Sequence, residues 1–210
     1  MKIFKKITLS LGIMLVLTTQ LSALEEPKYK VLKNYDDIEI REYNSYLVAE
    51  TTVSSDFEDA GDQAFSRLFN YIDGENISQK SIEMTAPVEQ EKMDSKGQEI
   101  EMTAPVSQET MSNGTYRIAF VMPSNFTLET LPKPKDDGIK IRKVPARKVA
   151  VIRYSGTWSE ENYDEHKKEL YSFLSEKSYK IVGNPLWARY DPPFMPWLFR
   201  RNEIMVEIEY

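Results

Sequence analysis

Residues 37–50 read DIEIREYNSYLVAE and residues 138–151 read GIKIRKVPARKVAV, so one pattern occurs twice at an offset of 101 positions. In each copy apolar and polar side chains alternate, as in a β-strand with one buried face. The alternation breaks at Asn44–Ser45 and at Pro145–Ala146, where we expect a turn, and a second apolar strand follows. The residues shared by both copies are, in the first, Ile38, Ile40, Arg41, Val48 and Ala49.

A helix is predicted after each copy. In the first half, Ser55 and Glu58 have the spacing of a capping box, and apolar residues recur at helical spacing before Gly74. In the second half, Ser159 can cap a helix whose first turn carries Glu160 and Glu161. The predicted apolar faces consist of Phe57, Ala60, Ala64, Leu68, Tyr71 and Ile72, and of Tyr163, Leu170, Phe173 and Leu174.

Further strands are predicted in both halves, and residues 123–138 connect the halves. Each half then has a ββαβ-like order with one apolar sheet face. Two such halves can bury these faces by joining into a single α+β sheet or barrel. The additional predicted strands are residues 81–88, 99–106 and 115–122 in the first half and residues 180–190 and 203–209 in the second.

A second, local repeat is the segment IEMTAPV, which occupies residues 82–88 and again residues 100–106. The two segments can pair as neighbouring strands, each interrupted by a proline that cannot donate a ladder hydrogen bond. Met84 and Met102 occupy equivalent positions. Two interpretations fit them: they fill the core, or they contact a flat ligand or ligate a metal.

The composition excludes several classes of protein. The chain has 210 residues, no Cys, one His and a net charge of −6. Without Cys there is no disulfide framework, thiolate metal site or Cys nucleophile. The negative charge speaks against nucleic acid as a partner. No nucleophile elbow, phosphate-binding loop or zincin helix occurs, so the sequence predicts a protein that is not an enzyme.

The first 23 residues have the organisation of a secretory signal peptide. Lysines precede an apolar run over residues 7–17, and small residues follow up to Ala23. We expect cleavage after Ala23, leaving residues 24–210 as a single exported domain without a stable membrane span. The alternative is a retained N-terminal anchor. The exported protein would be periplasmic in a cell with two membranes.

Residues 186–204, LWARYDPPFMPWLFRRNEI, form a proline-rich segment that is too apolar for an ordinary solvated loop. Three interpretations fit this segment. It packs back on the core as a lid, it lines an apolar pocket rimmed by Arg200 and Arg201, or it is a protein interface. The two arginines can grip carboxylates of a ligand or pair with Glu203.

Five segments together resemble the SOUL haem-binding protein family, in an exported, bacterial-type form. They are LFNYIDGEN at 68–76, the doubled IEMTAPV, FVMPSNFTLETLPKP at 120–134, VAVIRYSGTWSEENY at 149–163 and ARYDPPFMPWLFRRNE at 188–203. The resemblance implies a distorted α+β barrel built from two pseudo-repeated ββαββ halves, similar to effector-binding domains. It also implies reversible binding of haem or a related tetrapyrrole, for haem carriage or buffering, without catalysis.

The resemblance further implies a shallow apolar groove between the first helix and the late aromatic loop. On this chain the groove residues are Phe65, Arg67, Leu68 and Tyr71 from the helix and Tyr190, Met195, Trp197 and Phe199 from the loop. Arg67, Arg200 and Arg201 are the candidate partners of the propionates, although Arg67 also fits a solvated helix position. The candidate axial ligands are His166, Tyr43, Met195, Tyr71 and Tyr190, and none has a distinguishing spacing.

Two other functions fit the same residues. The groove could carry or sense another hydrophobic small molecule, such as a lipid or quinone, without using iron. Alternatively, the loop around Trp197 could anchor a protein partner, since exposed aromatic side chains often dominate interfaces.

Overall fold

The structure is a computed structural model that describes residues 24–79, 97–112 and 114–209. The predicted signal peptide, residues 1–23, and the first IEMTAPV segment, residues 82–88, lie outside the described residues. Within the described ranges, no helix has the length and apolar character needed to cross a membrane.

The described residues form eleven strands and two α-helices, which confirms the α+β class. The strands are β1 (Tyr29–Tyr35), β2 (Ile38–Tyr43), β3 (Tyr46–Ser54), β4 (Asn76–Ile77), β5 (Val106–Ser112), β6 (Thr115–Val121), β7 (Lys133–Pro134), β8 (Lys140–Val144), β9 (Arg147–Tyr154), β10 (Lys180–Arg189) and β11 (Asn202–Glu209). The helices are α1 (Asp59–Ile72) and α2 (Glu160–Glu176), and a 3-10 turn covers Trp197–Phe199.

Nine strands form one antiparallel sheet in the order β1-β2-β9-β11-β10-β5-β6-β3-β8, while β4 pairs with β7. The chain passes from β2 to β3, which are distant in this order, through only Asn44 and Ser45. Because the three Cα steps from Tyr43 to Tyr46 span at most roughly 11 Å, the sheet must curl strongly. It does not close, since β1 and β8 remain edge strands. The expected distorted barrel is therefore corrected to a curled open sheet.

The two copies of the repeated sequence pair with each other. The first copy contains β2 and β3, and the second contains β8 and β9. β2 pairs with β9, with Ile38 opposite Ile152, and β3 pairs with β8, with Ala49 opposite Ile141. Each strand of one copy therefore pairs with a strand of the other copy within the same sheet. The duplication of whole halves stays a prediction.

The two helices begin differently. Ser159 caps α2 as predicted, because its hydroxyl accepts a hydrogen bond from the Asn162 backbone N–H at 3.3 Å. α1 begins at Asp59, and its N-cap residue Glu58 makes no side-chain capping bond. The predicted capping box is wrong, because Ser55 lies three residues before the observed N-cap, and its hydroxyl accepts a hydrogen bond from Gln63.

The main core lies between the sheet and the two helices. α1 packs on β3 and β6, and α2 packs on β9, β10 and β11. Most predicted apolar helix residues are buried there, and Phe173 is half-buried against them. The core helix residues are Phe57, Ala60, Ala64, Leu68, Tyr71, Ile72, Tyr163, Leu170 and Leu174.

The second IEMTAPV segment is largely irregular, which corrects the strand predicted over residues 99–106. Only Val106 belongs to β5, and Thr103 forms an isolated parallel bridge with Glu25. Pro105 has no N–H to donate, which explains why regular pairing begins after it. The segment is nonetheless packed into the protein, since Ile100, Thr103 and Ala104 are buried.

Candidate ligand-binding pocket

An apolar pocket of about 450 Å³ opens between α1 and the end of β10. Its volume lies within the range of small-molecule sites, roughly 300–1,000 Å³. The exposed face of α1 supplies one wall, the segment at residues 189–193 supplies another, and residues 102–106 supply a third. The apolar lining includes Phe65, Met102, Ala104, Val106, Trp158 and Pro192.

Trp158 is the largest side chain in the pocket wall, and it is fixed by polar contacts. Its indole N–H donates a hydrogen bond to Asn202 Oδ1 at 3.0 Å. The guanidinium carbons of Arg189 and Arg200 lie 5.3 Å and 4.2 Å from its ring centroid. These distances fit cation–π contacts, so the indole is held rigidly before any ligand arrives.

Arg189, the last residue of β10, places its guanidinium in the pocket, although the residue is only 7% exposed. A Cβ on Gly61 of α1 would lie 2.8 Å from Arg189 Cζ, so a side chain at this position would displace the guanidinium. Within the described residues the guanidinium has no hydrogen-bond or ion-pair partner, and its Nε is buried. Burial lowers the pKa of Arg189 to about 10, although the nearby Asp62 carboxylate opposes this shift.

A second buried charge, the carboxylate of Glu203 on β11, is fully paired. Arg41 on β2 donates to Oε2 at 2.9 Å and to Oε1 at 3.1 Å. Arg201 donates to Oε1 through Nε at 3.0 Å and Nη2 at 2.9 Å. The hydroxyl of Tyr190 donates to Oε2 at 2.7 Å. These charge-assisted bonds use both carboxylate oxygens and tie β2, β10 and β11 together.

The pairing determines the ionisation of this cluster. Burial alone would raise the pKa of Glu203, but the hydrogen bonds and charges of Arg41 and Arg201 outweigh it, so the pKa lies below its ordinary 4.5. Burial and the Glu203 charge raise the pKa of Tyr190 well above its ordinary 10. At neutral pH the carboxylate is therefore charged and the phenol is a hydrogen-bond donor.

The four predicted groove residues of α1 lie in different environments. Phe65 lines the pocket. Arg67 lies on the other side of the helix surface, where its Nε pairs with Asp136 at 3.0 Å and its Nη1 donates to Thr51. Leu68 and Tyr71 are fully buried in the core and do not line the pocket. The Tyr71 hydroxyl donates to a backbone carbonyl at 2.8 Å.

The predicted loop residues are also separated. Tyr190 lines the pocket, with its hydroxyl directed to Glu203. Met195, Trp197 and Phe199 are not part of the lining, and the last two are exposed. The start of the loop therefore forms a pocket wall facing α1, whereas its aromatic part at Trp197–Phe199 forms a 3-10 turn outside the pocket.

The two loop arginines have protein partners. Arg200 donates to the backbone carbonyls of Met195 and Pro193 at 2.8 Å and 2.7 Å. Arg201 pairs with Glu203 and, at 2.7 Å, with Glu26. The structural ion pair weighed for Arg201 in the sequence is thus present, and neither guanidinium projects freely into the pocket.

Two of the candidate axial ligands, His166 and Tyr43, lie outside the pocket. His166 stacks on Tyr154, with 4.0 Å between ring centroids, and its Nδ1 lies 2.8 Å from the Asn162 carbonyl oxygen. The Tyr43 hydroxyl is buried and accepts a hydrogen bond from Arg41 at 3.2 Å. Neither residue lines the apolar pocket. Among the described residues, no group of three or more His, Cys, Asp or Glu side chains could hold a metal ion.

Two pocket residues, Trp158 and Arg189, were missing from the predicted site. Arg189 follows Trp187 by two positions in a strand, so it shares a face with a buried side chain. A charge on a buried strand face is a sequence pattern that could have identified it. Trp158 precedes the helix cap and carries no comparable pattern. Met102, for which ligand contact was one interpretation, does line the pocket.

A curled antiparallel sheet with two helices and an apolar pocket beside the first helix defines an α+β domain suited to holding a small ligand. The chain belongs to the SOUL heme-binding protein family, whose model matches residues 24–95 and 90–207. The predicted family is thereby confirmed.

Similar proteins with the name heme-binding protein agree with this family assignment. The chain is 27% identical over 199 residues to heme-binding protein 2 of Mus musculus, covering 88% of this chain and 90% of that protein. It is 28% identical over 167 residues to heme-binding protein 1 of Xenopus tropicalis, covering 79% and 80% of the two chains.

Solved structures share the fold at low sequence identity. The EcmrR C-terminal domain has a TM-score of 0.59 at 10% identity, covering 86% of this chain and 98% of that domain. A hydrolase from Listeria innocua has a TM-score of 0.53 at 10% identity, covering 85% and 94%. These likenesses concern the fold alone, and they support the expected similarity to effector-binding domains.

Proposed function

We propose that this chain is an exported, non-catalytic protein that binds haem or a related tetrapyrrole in the pocket beside α1. The observation that carries the proposal is an apolar, aromatic-walled pocket in a chain of the SOUL heme-binding protein family. The family description and the names of the relatives specify a ligand rather than a reaction. A role in haem carriage or buffering follows from reversible binding.

The pocket chemistry suits a porphyrin, which is a flat apolar disc with carboxylates on one edge. Phe65, Met102 and Trp158 offer apolar faces for the disc. Removing about 400 Å² of apolar surface from water would contribute roughly 10 kcal/mol at 25 cal/mol per Å², before the costs of association and ordering. Micromolar affinity is therefore reachable without a bond to iron.

Iron ligation plays a secondary role in this proposal. When bound, haem offers an iron that accepts a Met sulfur or a Tyr oxygen as an axial ligand. Among the described lining residues, Met102 offers a thioether sulfur to the iron. Tyr190 already uses its hydroxyl to donate a hydrogen bond to Glu203. Because apolar burial, rather than a bond to iron, supplies most of the expected binding free energy, we expect iron-free protoporphyrin to bind with an affinity similar to that of haemin.

A titration of residues 24–210 with haemin and with protoporphyrin tests the function. Phe65→Ala removes a pocket wall and should weaken both affinities about 5- to 30-fold, as expected for losing 1–2 kcal/mol of apolar burial. Val182→Ala is the control, because Val182 on β10 is 37% exposed, against 38% for Phe65, and does not line the pocket. Soret absorbance and Trp fluorescence report the binding.

The outcomes separate the alternatives. Saturable binding of both porphyrins that Phe65→Ala weakens and Val182→Ala does not would support the pocket. Binding of haemin alone would assign a larger role to an iron ligand. Absence of saturable binding of either porphyrin would contradict the proposal and favour another hydrophobic small molecule.

The exported location rests on the N-terminal sequence. The basic, apolar and small-residue order of residues 1–23 supports it. Fractionation of the native cell, with mass spectrometry of the N-terminus, tests this part separately. A mature chain beginning at Leu24 outside the cytoplasmic membrane is expected, and a retained N-terminus would favour the anchor.

One observation favours a second candidate, a protein-interaction module. The loop at residues 194–199 exposes several large apolar side chains, with Phe194 85% exposed. Such a cluster commonly marks an interface. A photo-crosslinker at position 197 that captures one discrete protein in the native cell, when one at position 69 does not, would support this candidate.

A further inference from the structure

The guanidinium of Arg189 is the most unusual group in the pocket. Burying an ionised side chain is costly unless it is paired and hydrogen-bonded. Arg189 is buried in contact distance of two indole rings, with its carbon 4.9 Å from the Trp187 centroid and 5.3 Å from that of Trp158. No described residue accepts a hydrogen bond from it.

The surrounding chain accommodates this unpaired charge. Gly61 lies on α1 directly against the guanidinium, and a side chain at this position would displace the guanidinium from its place in the pocket. Asp62, on the same turn, lines the pocket and is the carboxylate that acts on Arg189 through space. Among the described residues, Asp62 acts on Arg189 by its charge only, because no hydrogen bond or ion pair joins the two side chains. The donor fork of Arg189 therefore remains available inside an apolar cavity.

We propose that Arg189 is the carboxylate-recognising group of this pocket, so that the preferred ligand is a flat apolar molecule carrying an acidic group. The inference rests on the proposed function and deepens it by naming the chemical group of the ligand that Arg189 binds. A guanidinium presents parallel N–H donors that match both oxygens of a carboxylate. The other predicted propionate partners, Arg67, Arg200 and Arg201, already have protein partners.

The geometry also orients the ligand. The carboxylate would lie at the buried end of the pocket against Arg189, and the apolar body would extend along Phe65 and Met102 toward solvent. Binding of an acid supplies the anionic hydrogen-bond acceptor that the guanidinium lacks. A neutral ester leaves the guanidinium unpaired and also shields it from water, which costs free energy. Discrimination between acid and ester should therefore be large.

The test compares protoporphyrin with its dimethyl ester, which keeps the disc and removes both charges. The wild-type chain should bind the acid about 10- to 100-fold more tightly than the ester, the range expected for a charge-assisted pair. Arg189→Met, which keeps most of the side-chain volume, should bind the two compounds within about threefold of each other. Arg67→Met is the matched control, because it removes a cation outside the pocket and should keep the preference.

A second measurement does not depend on any ligand. If Arg189 held the fold together, Arg189→Met would lower the melting temperature of the ligand-free protein. If it is kept for a ligand, removing an unpaired buried charge should leave the melting temperature unchanged or raise it. A clear decrease would overturn the inference, whatever the porphyrins do.

The outcomes distinguish this inference from the function on which it rests. Equal binding of acid and ester by the wild-type chain, or an acid preference that survives in Arg189→Met, would overturn the inference and leave tetrapyrrole binding standing. Failure of the wild-type chain to bind either compound would overturn both. Loss of the preference in Arg189→Met alone, with a stable fold, would support the assignment.

Discussion

Two buried arginines in the same sheet, Arg41 and Arg189, have opposite surroundings. Arg41 on β2 meets the buried carboxylate of Glu203, and Arg189 on β10 meets two indoles and an apolar cavity. Burial lowers the pKa of Arg189, whereas hydrogen bonds and the charge of Glu203 overcome burial and raise the pKa of Arg41. The burial of Arg41 is therefore explained by its pairing within the fold. The burial of Arg189 lacks such a partner and is better explained by a ligand that would pair with it.

The difference shows that a buried charged side chain in this protein can have either a structural or a ligand-binding explanation. A paired charge ties strands together, because removing either partner leaves the other uncompensated. An unpaired charge next to a cavity contributes nothing comparable to the fold, so its retention is better explained by what enters the cavity. The two clusters adjoin, since Tyr190, the residue after Arg189, lines the pocket and also donates a hydrogen bond to Glu203.

The largest expected effect comes from breaking the paired cluster. Glu203→Gln leaves Arg41 and Arg201 buried without their carboxylate, and it should lower the free energy of unfolding by about 3–5 kcal/mol. Denaturant unfolding measures this change. The control is Glu209→Gln, which breaks an exposed pair with Lys180 and should change stability by less than about 0.5 kcal/mol. Equal effects of the two substitutions would show that the buried cluster has no special role.

A pH series sharpens the same comparison. Because the pKa of Glu203 is lower in the folded chain than its ordinary 4.5, the carboxylate's contribution is fully present above that value. It is lost as pH falls through the lower folded pKa. The stability difference between wild type and Glu203→Gln should therefore be constant above pH 5 (roughly, from the ordinary range of Glu) and shrink below pH 4 (roughly). A difference that grows on acidification would contradict the assigned direction.

A smaller effect is expected on the pocket side, where two tryptophans can be compared. Trp158→Ala removes a pocket wall and the cation–π neighbour of Arg189, and it should weaken protoporphyrin binding about tenfold. Trp197→Ala alters the exposed loop and should change the affinity by less than about twofold, the uncertainty of a surface substitution. If Trp197→Ala weakened binding more than Trp158→Ala in a fluorescence or Soret titration, the aromatic loop would be part of the binding site.

Local sequence patterns were reliable where a few neighbouring residues decide the outcome. The Ser159 cap, the buried faces of both helices and the strands within each copy of the repeat are all of this kind. The Ser55–Glu58 cap failed although its spacing was correct, because α1 begins only at Asp59 and its N-cap residue is Glu58. A short motif therefore does not by itself determine where a helix begins.

The sequence by itself determined the α+β class, the family and the apolar character of the late loop. Tertiary structure alone decided that the sheet stays open, that Leu68 and Tyr71 belong to the core, and that Arg189 meets Gly61 and Trp158 in one pocket. The physical reason is range. Periodicity and caps depend on neighbours within a turn or a strand, whereas sheet closure and the pairing of buried charges depend on contacts between residues far apart in the chain.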